Sequence, residues 1–197
     1  VMGKGPKIRQ VRVEAMKALA LCLFFTLMAA PAQAKERAMQ KPREKIKISD
    51  FAQYAIPPGW TVSEKTEQGD PQVVLEKDMH AISVRLAGGT GSRYKSSADF
   101  LVGFEARSPG GKLADKLGVA LVAGQRVLLY NRKVPVSLPP PDASGPATTT
   151  DEEFCVLQAG KRFFIFTYSY GDSVPDPTYD GLKAWREFLK SFKLKKR

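Results

Sequence analysis

The stretch Arg162–Tyr170, "RFFIFTYSY", constrains the fold more than any other part of this chain. Read as a strand, it puts Phe163 and Ile165 on one side and Phe164, Phe166, Tyr168 and Tyr170 on the other, because successive strand side chains point to opposite faces. A sheet that is wet on one side alternates apolar with polar residues. This run has apolar residues on both sides. It is therefore expected at the centre of a sheet with cover on its two faces, supplied by helices.

The rest of the pattern supplies partners for it. "EEFCVLQ" and the connection "AGK" precede it and complete a hairpin. "PQVVLEKD" and "AISVRLA" read as a second hairpin around Lys77-Asp78-Met79-His80. "FAQYAIPPGWTVSEKT" gives two short strands around a Pro-Pro-Gly corner, and Lys112–Arg132 gives two more, punctuated by Gly. Helical spacing of Phe100, Leu101 and Phe104 predicts a short helix from Ala98 to about Ala106 with Ser97 as its N-cap. A last helix is expected from Pro177, capped by Asp176, with an apolar stripe of Leu182, Trp185, Phe188, Leu189 and Phe192. Residues 135–150, "PVSLPPPDASGPATTT", have no period and read as an exposed Pro-rich loop.

The N-terminus speaks to location. A basic lead (Lys4, Lys7, Arg9, Arg12, Lys17) is followed by "ALALCLFFTLMAAPA", an apolar run short of the roughly 20 residues of a spanning helix. It ends in Ala32-Gln33-Ala34. This is the layout of a signal peptide over residues 1–34, cleaved after Ala34, and it predicts a periplasmic or secreted protein; "MKALALCLFF" from Met16 is the more ordinary start. Residues 35–47 read as a disordered basic lead, and 48–194 as a single domain. The chain after Ala34 keeps 26 basic and 19 acidic residues. Much of that excess lies in the terminal runs "KERAMQKPREKIK" and "KSFKLKKR", which read as solvated tails, with attraction to an anionic envelope surface as the sharper alternative and a protein as the other candidate partner. Nucleic acid is not expected, because no aromatic residues interleave with the basic clusters as a stacking groove requires.

Chemistry-bearing motifs are few. Gly89–Ser96, "GTGSRYKS", matches a phosphate-binding loop except at the Gly before the Lys, which is Tyr94; the ring should obstruct the site, and a plain strand-to-helix connection is expected. His80 is the only His, so a multi-imidazole zinc cluster is excluded, and it reads as an ordinary surface or edge residue. Cys155, the only Cys beyond the leader, sits between Phe154 and Val156 and is expected to pack as a small hydrophobe. The enzymatic alternative is a small thiol hydrolase using Cys155 and His80. The triplet Asp151-Glu152-Glu153 has no second cluster at ligand spacing and reads as a solvated strand entrance. No catalytic, cofactor-binding or metal-binding residue is assigned.

"FAQYAIPPGW", the helix after "YKSSADFL", the hairpin "FCVLQAGKRFFIFTYSY" and the closing "LKAWREFLKSF" together resemble the PsbP/Mog/DcrB-like superfamily over roughly residues 48–194. The resemblance implies an α+β fold with an antiparallel β-sheet sandwiched between helices, an α/β/α sandwich. It also implies a mostly non-enzymatic accessory or partner-binding role, with no shared catalytic motif to carry over. The expected function is thus an exported binding or accessory protein of the cell envelope.

Overall fold

Nine strands and two α-helices follow one another along the residues that the computed structural model describes, 46–136, 148–171 and 179–196. The leader, residues 35–45, most of the Pro-rich loop, Asp176 and Pro177 lie outside them. The strands are β1 (Ala52–Gln53), β2 (Thr61–Glu67), β3 (Asp70–Lys77), β4 (His80–Ala87), β5 (Asp115–Val122), β6 (Gln125–Pro135), β7 (Thr149–Ala159), β8 (Arg162–Tyr170) and β9 (Lys193–Leu194). Seven form one antiparallel sheet in the order β2-β3-β4-β8-β7-β6-β5, and β1 pairs with β9 separately. The aromatic strand β8 lies fourth of the seven, at the centre, as its two apolar faces require.

Local chemistry sets the hairpins. Gln68 and Gly69 (φ 50° and 84°) turn β2 into β3, and Ala123 and Gly124 (φ 50° and 77°) turn β5 into β6. Paired left-handed residues match the twist of the flanking strands, which fixes the register of each hairpin. Along β8 the faces divide as the alternation predicts. Phe164, Phe166 and Tyr168 join the larger core, and Phe163 and Ile165 the smaller one.

The larger core lies under α2 (Gly181–Ser191), which buries Trp185, Phe188 and Leu189 against the sheet, with Phe192 just beyond. An 11-residue helix is marginal alone; burying each such side chain contributes about 1.5–3 kcal/mol, so packing holds it. Glu153 of β7 fixes its rotation, accepting from Trp185 Nε1 at 3.1 Å and pairing with Arg186 at 2.6 Å. Asp180 caps the helix by accepting from the Lys183 N–H, so α2 begins at Gly181, and Leu182 is exposed instead of joining the stripe.

The expected α/β/α sandwich is overturned: the fold is dominated by its sheet. Among the described residues only one face carries a long helix. On the other, α1 (Ser97–Val102) is six residues long, and the chain after it forms single 3-10 turns at Phe104–Ala106 and Pro109–Gly111. Gly103 takes an extended conformation and stops α1, and Gly110 and Gly111 adopt positive φ, so no helix layer can extend there. Phe163 and Ile165 are instead covered by Tyr94, Phe100 and Ala106 from this broken segment, beside Phe154 of β7. Outside that patch Leu117, Val119, Leu121 and Leu128 of the β5–β6 hairpin remain exposed. The cap of α1 is Ser96, not Ser97, because Asp99 stands three residues after Ser96 and returns a bond to its N–H.

Candidate functional site

Strand β8 runs between two different environments, a basic end at Arg162 and an aromatic end at Tyr170. At the basic end the β7–β8 turn, the β5–β6 turn and the chain after α2 converge. One open cleft of about 510 Å³ is lined by Lys161, Arg162 and Lys195, with Gln125 and Gln158, over Phe51, Phe164 and Leu194. A neighbouring cleft of about 480 Å³ shares Leu194 and is lined by Lys190, Lys193, Leu121 and Phe192. Neither lining contains a carboxylate. The Arg162 guanidinium lies 5.1 Å from the centre of the Phe51 ring, which holds its charge at the cleft wall.

At the aromatic end the sheet extends past the start of α2. His80, expected at the surface, is buried there (4% exposed), and that expectation is corrected. The Asp78-Met79 turn makes it the first residue of β4, on the same face as Ile82, Val84 and Leu86. Its Nδ1 lies 2.9 Å from the Tyr168 hydroxyl, and the rings of Tyr170 and Tyr179 approach to 4.6 and 5.1 Å. Trp60 Nε1 donates to the Tyr179 hydroxyl at 2.7 Å, and Lys77 Nζ lies 3.9 Å above the Tyr179 ring. Burial, with the nearby Asp180 carboxylate, pushes the Tyr168 phenol up to about 12. A cleft of about 510 Å³ opens beside this cluster, between the ends of β6, β7 and β8 and the first residues of α2.

Cys155 is fully buried in the larger core, and burial pushes its thiol up to about 12. The structure does not bring Cys155 and His80 together. Cys155 pairs with Phe166 and His80 with Tyr170, on opposite sides of β8, and those partners are four residues, roughly 13 Å, apart along the strand.

The acidic triplet is engaged within the fold: Asp151 pairs with Lys133, Glu152 with Arg132, and Glu153 with Arg186. Glu152 is buried and not a solvated entrance, which corrects the reading of that residue. Burial raises its carboxyl, opposed by the Arg132 guanidinium. No group of three His, Cys, Asp or Glu among the described residues is placed to hold a metal ion.

The Gly89–Ser96 loop is built the opposite way to a phosphate cradle. Lys95 Nζ donates to the carbonyls of Ser92, Thr90 and Gly89, so the loop presents oxygens inward to its own cation. Tyr94 is buried against Phe100, edge to face at 5.3 Å. Ser92 Oγ accepts from the Gly88 N–H and bonds the buried Asp70, tying the loop to β3.

The run "KSFKLKKR" showed Lys190, Lys193 and Lys195 as basic in the sequence; their convergence with Lys161 and Arg162, and the aromatic cluster at the other end, were not legible beforehand. The five cations of the basic end come from the β7–β8 turn, the last turn of α2 and the chain beyond it. The burial of His80 was signalled only by the period-two series His80, Ile82, Val84, Leu86, carried one residue back into the turn.

No protein-family model matches the chain, and no curated protein matches it. Among solved structures it is similar to a protein from Bacteroides thetaiotaomicron VPI-5482, with TM-score 0.44 and 11% identity over 74% of this chain and 46% of that one. It is also similar to LpqN, named as involved in cell envelope biogenesis of Mycobacterium tuberculosis, with TM-score 0.35 and 12% identity over 73% of this chain and 82% of that one. The chain spans less than half the length of the Bacteroides protein. The resemblance to the PsbP/Mog/DcrB-like superfamily is not carried by these matches.

Proposed function

We propose that this is an exported, non-enzymatic accessory protein of the cell envelope that docks on an anionic phospholipid surface through its basic end. The observation that carries the reading is the pair of adjoining clefts lined by Lys161, Arg162, Lys190, Lys193 and Lys195 with no carboxylate in either lining. Each Lys or Arg close to an anionic leaflet contributes about 1 kcal/mol. One apolar residue beside these cations adds to the same surface: Leu121, 60% exposed, lines the second cleft. No helix among the described residues is long and apolar enough to cross a membrane, so a surface contact is the form the reading takes.

The signal-peptide layout of residues 1–34 supports export, and the superfamily resemblance supports an accessory role. The burial of Cys155 away from His80 supports the non-enzymatic side of the reading. The test is flotation with vesicles of phosphatidylcholine alone or mixed with phosphatidylglycerol. Binding is expected only with the anionic lipid, weakening as salt is raised. The pair Lys161→Glu and Lys193→Glu should cost well over tenfold, at about 1 kcal/mol or more per charge. Equal binding to both vesicles, or indifference to ionic strength, refutes the reading.

A further inference from the structure

The aromatic end is organised as two cross-strand rows on the face that α2 covers elsewhere. Asn131, Glu153 and Tyr168 are successive partners across β6, β7 and β8. One step further out Lys133 pairs with Asp151, and Tyr170 pairs with His80. The inner rows of the same face, with Leu129, Cys155 and Phe166, are apolar because the helix lies on them. Where α2 begins at Gly181 the cover ends, the sheet turns polar and aromatic, and the cleft of about 510 Å³ opens, a size that accommodates a small ligand.

The lining selects among ligand classes. An anion would face Asp151, Glu153 and Asp180 against Lys133 alone. A simple cation would find those carboxylates engaged, Asp151 by Lys133, Glu153 by Arg186 and Trp185, and Asp180 by the helix N-terminus. An acyl chain would meet one aliphatic side chain, Leu182. What the cleft offers is neutral hydrogen bonding beside aromatic surface. Asn131 Oδ1 is buried with no hydrogen-bond partner, an arrangement that costs stability unless a donor reaches it. Thr149 and Thr150 bring hydroxyls, Asp151 has free lone pairs to accept with, and the half-buried Tyr170 and Tyr179 bring rings. Hydroxyl donors for the amide and carboxylate oxygens, with a C–H face to lie on a phenol ring, are the features of a saccharide.

We infer that this cleft binds an uncharged, hydroxyl-rich ligand of the oligosaccharide class, with Asn131 as the buried acceptor and Tyr170 as the stacking surface. The site lies at the opposite end of β8 from the basic clefts and is independent of the lipid reading.

The experiment is a titration of the exported protein with three uncharged tetrasaccharides, of β-1,4-N-acetylglucosamine, β-1,4-glucose and α-1,4-glucose, followed by the indole N–H resonance of Trp60, which is bonded to Tyr179. The three arms separate envelope-type from storage-type glycans. Saturable shifts are expected with at least one of them. Asn131→Leu and Tyr170→Ala should each weaken binding about tenfold, the loss of one buried hydrogen bond or one stacking contact, with urea midpoints showing both variants folded. No saturable shift with any of the three overturns the inference, as do unchanged affinity in both folded variants and tighter binding of tetramethylammonium or inorganic phosphate.

Discussion

The hydroxyl of Tyr168 and Nδ1 of His80 lie 2.9 Å apart directly beneath the backbone of Gly181, so close that a Cβ at that position would collide with both. The first residue of α2 is thus fitted onto a buried polar pair, and the helix cannot begin there with a side chain unless the pair moves. Gly181→Ala should therefore lose about 1–3 kcal/mol, the usual cost of overpacking a closed site. Urea unfolding checks this: the midpoint should fall while the m-value stays constant. An unchanged midpoint would show that the helix start is free to lift away.

Burial of Cys155 and Tyr168 makes stability depend on alkaline pH. Both groups are raised to about 12, from ordinary values of 9.0 and 10.0, chiefly by desolvation. A group whose pKa is higher in the folded protein contributes stability that is intact below its unfolded value and lost as pH rises through the folded one. The window here runs from about 9 to 12. Urea midpoints should fall across it, and Cys155→Ala should make the fall shallower. The same burial predicts that Ellman's reagent leaves Cys155 unmodified at pH 8 in the folded protein and labels it only on unfolding. Fast labelling under native conditions would revive thiol chemistry.

Lys95 belongs to its loop and not to a ligand. Lys95→Ala frees the carbonyls of Gly89, Thr90 and Ser92, and hydrogen exchange should quicken from Gly88 to Tyr94. The global midpoint should shift by no more than about 1 kcal/mol, as the residue is exposed. A fluorescent ATP analogue should show no saturable binding to either form; saturable binding to the parent protein would overturn this reading of the loop.

These cases show where the sequence was informative. Period-two patterns placed β3, β4, β7 and β8, and even the division of Phe163 and Ile165 from Phe164 and Phe166, because face assignment in a strand depends only on local geometry. Helix starts were harder. Ser96 and Ser97 are both able caps, and only the position of Asp99 decides between them. The inference from two apolar faces to two helix layers failed because burial requires contact and does not specify what supplies it; Tyr94, Phe100 and Ala106 close the second face without a helix layer. The two ends of β8 depend on register between distant segments. Asn131, Glu153 and Tyr168 are adjacent only once β6, β7 and β8 are aligned, and no local pattern announces that.

The pair Arg132–Glu152 separates a partner's value from the cost of its absence. Both side chains are nearly buried, 13% and 12% exposed, with Arg132 Nε donating to Glu152 at 2.7 Å and its guanidinium 5.4 Å from the Phe154 ring. Burial disfavours the Glu152 charge, and Arg132 is the main force opposing that. Arg132→Met would strand the carboxylate and should cost about 3–5 kcal/mol at neutral pH. Adding Glu152→Met removes the stranded charge, and the double variant should recover most of the loss. The single variant should also regain stability as pH falls: without Arg132 the Glu152 pKa is raised further, and a group raised on folding favours the folded state once it binds its proton. Urea midpoints of the parent, both singles and the double at pH 5 and 7 measure all three effects. If Arg132→Met costs under about 1 kcal/mol and shows no pH dependence, the pair behaves as a solvated surface pair and the burial argument fails.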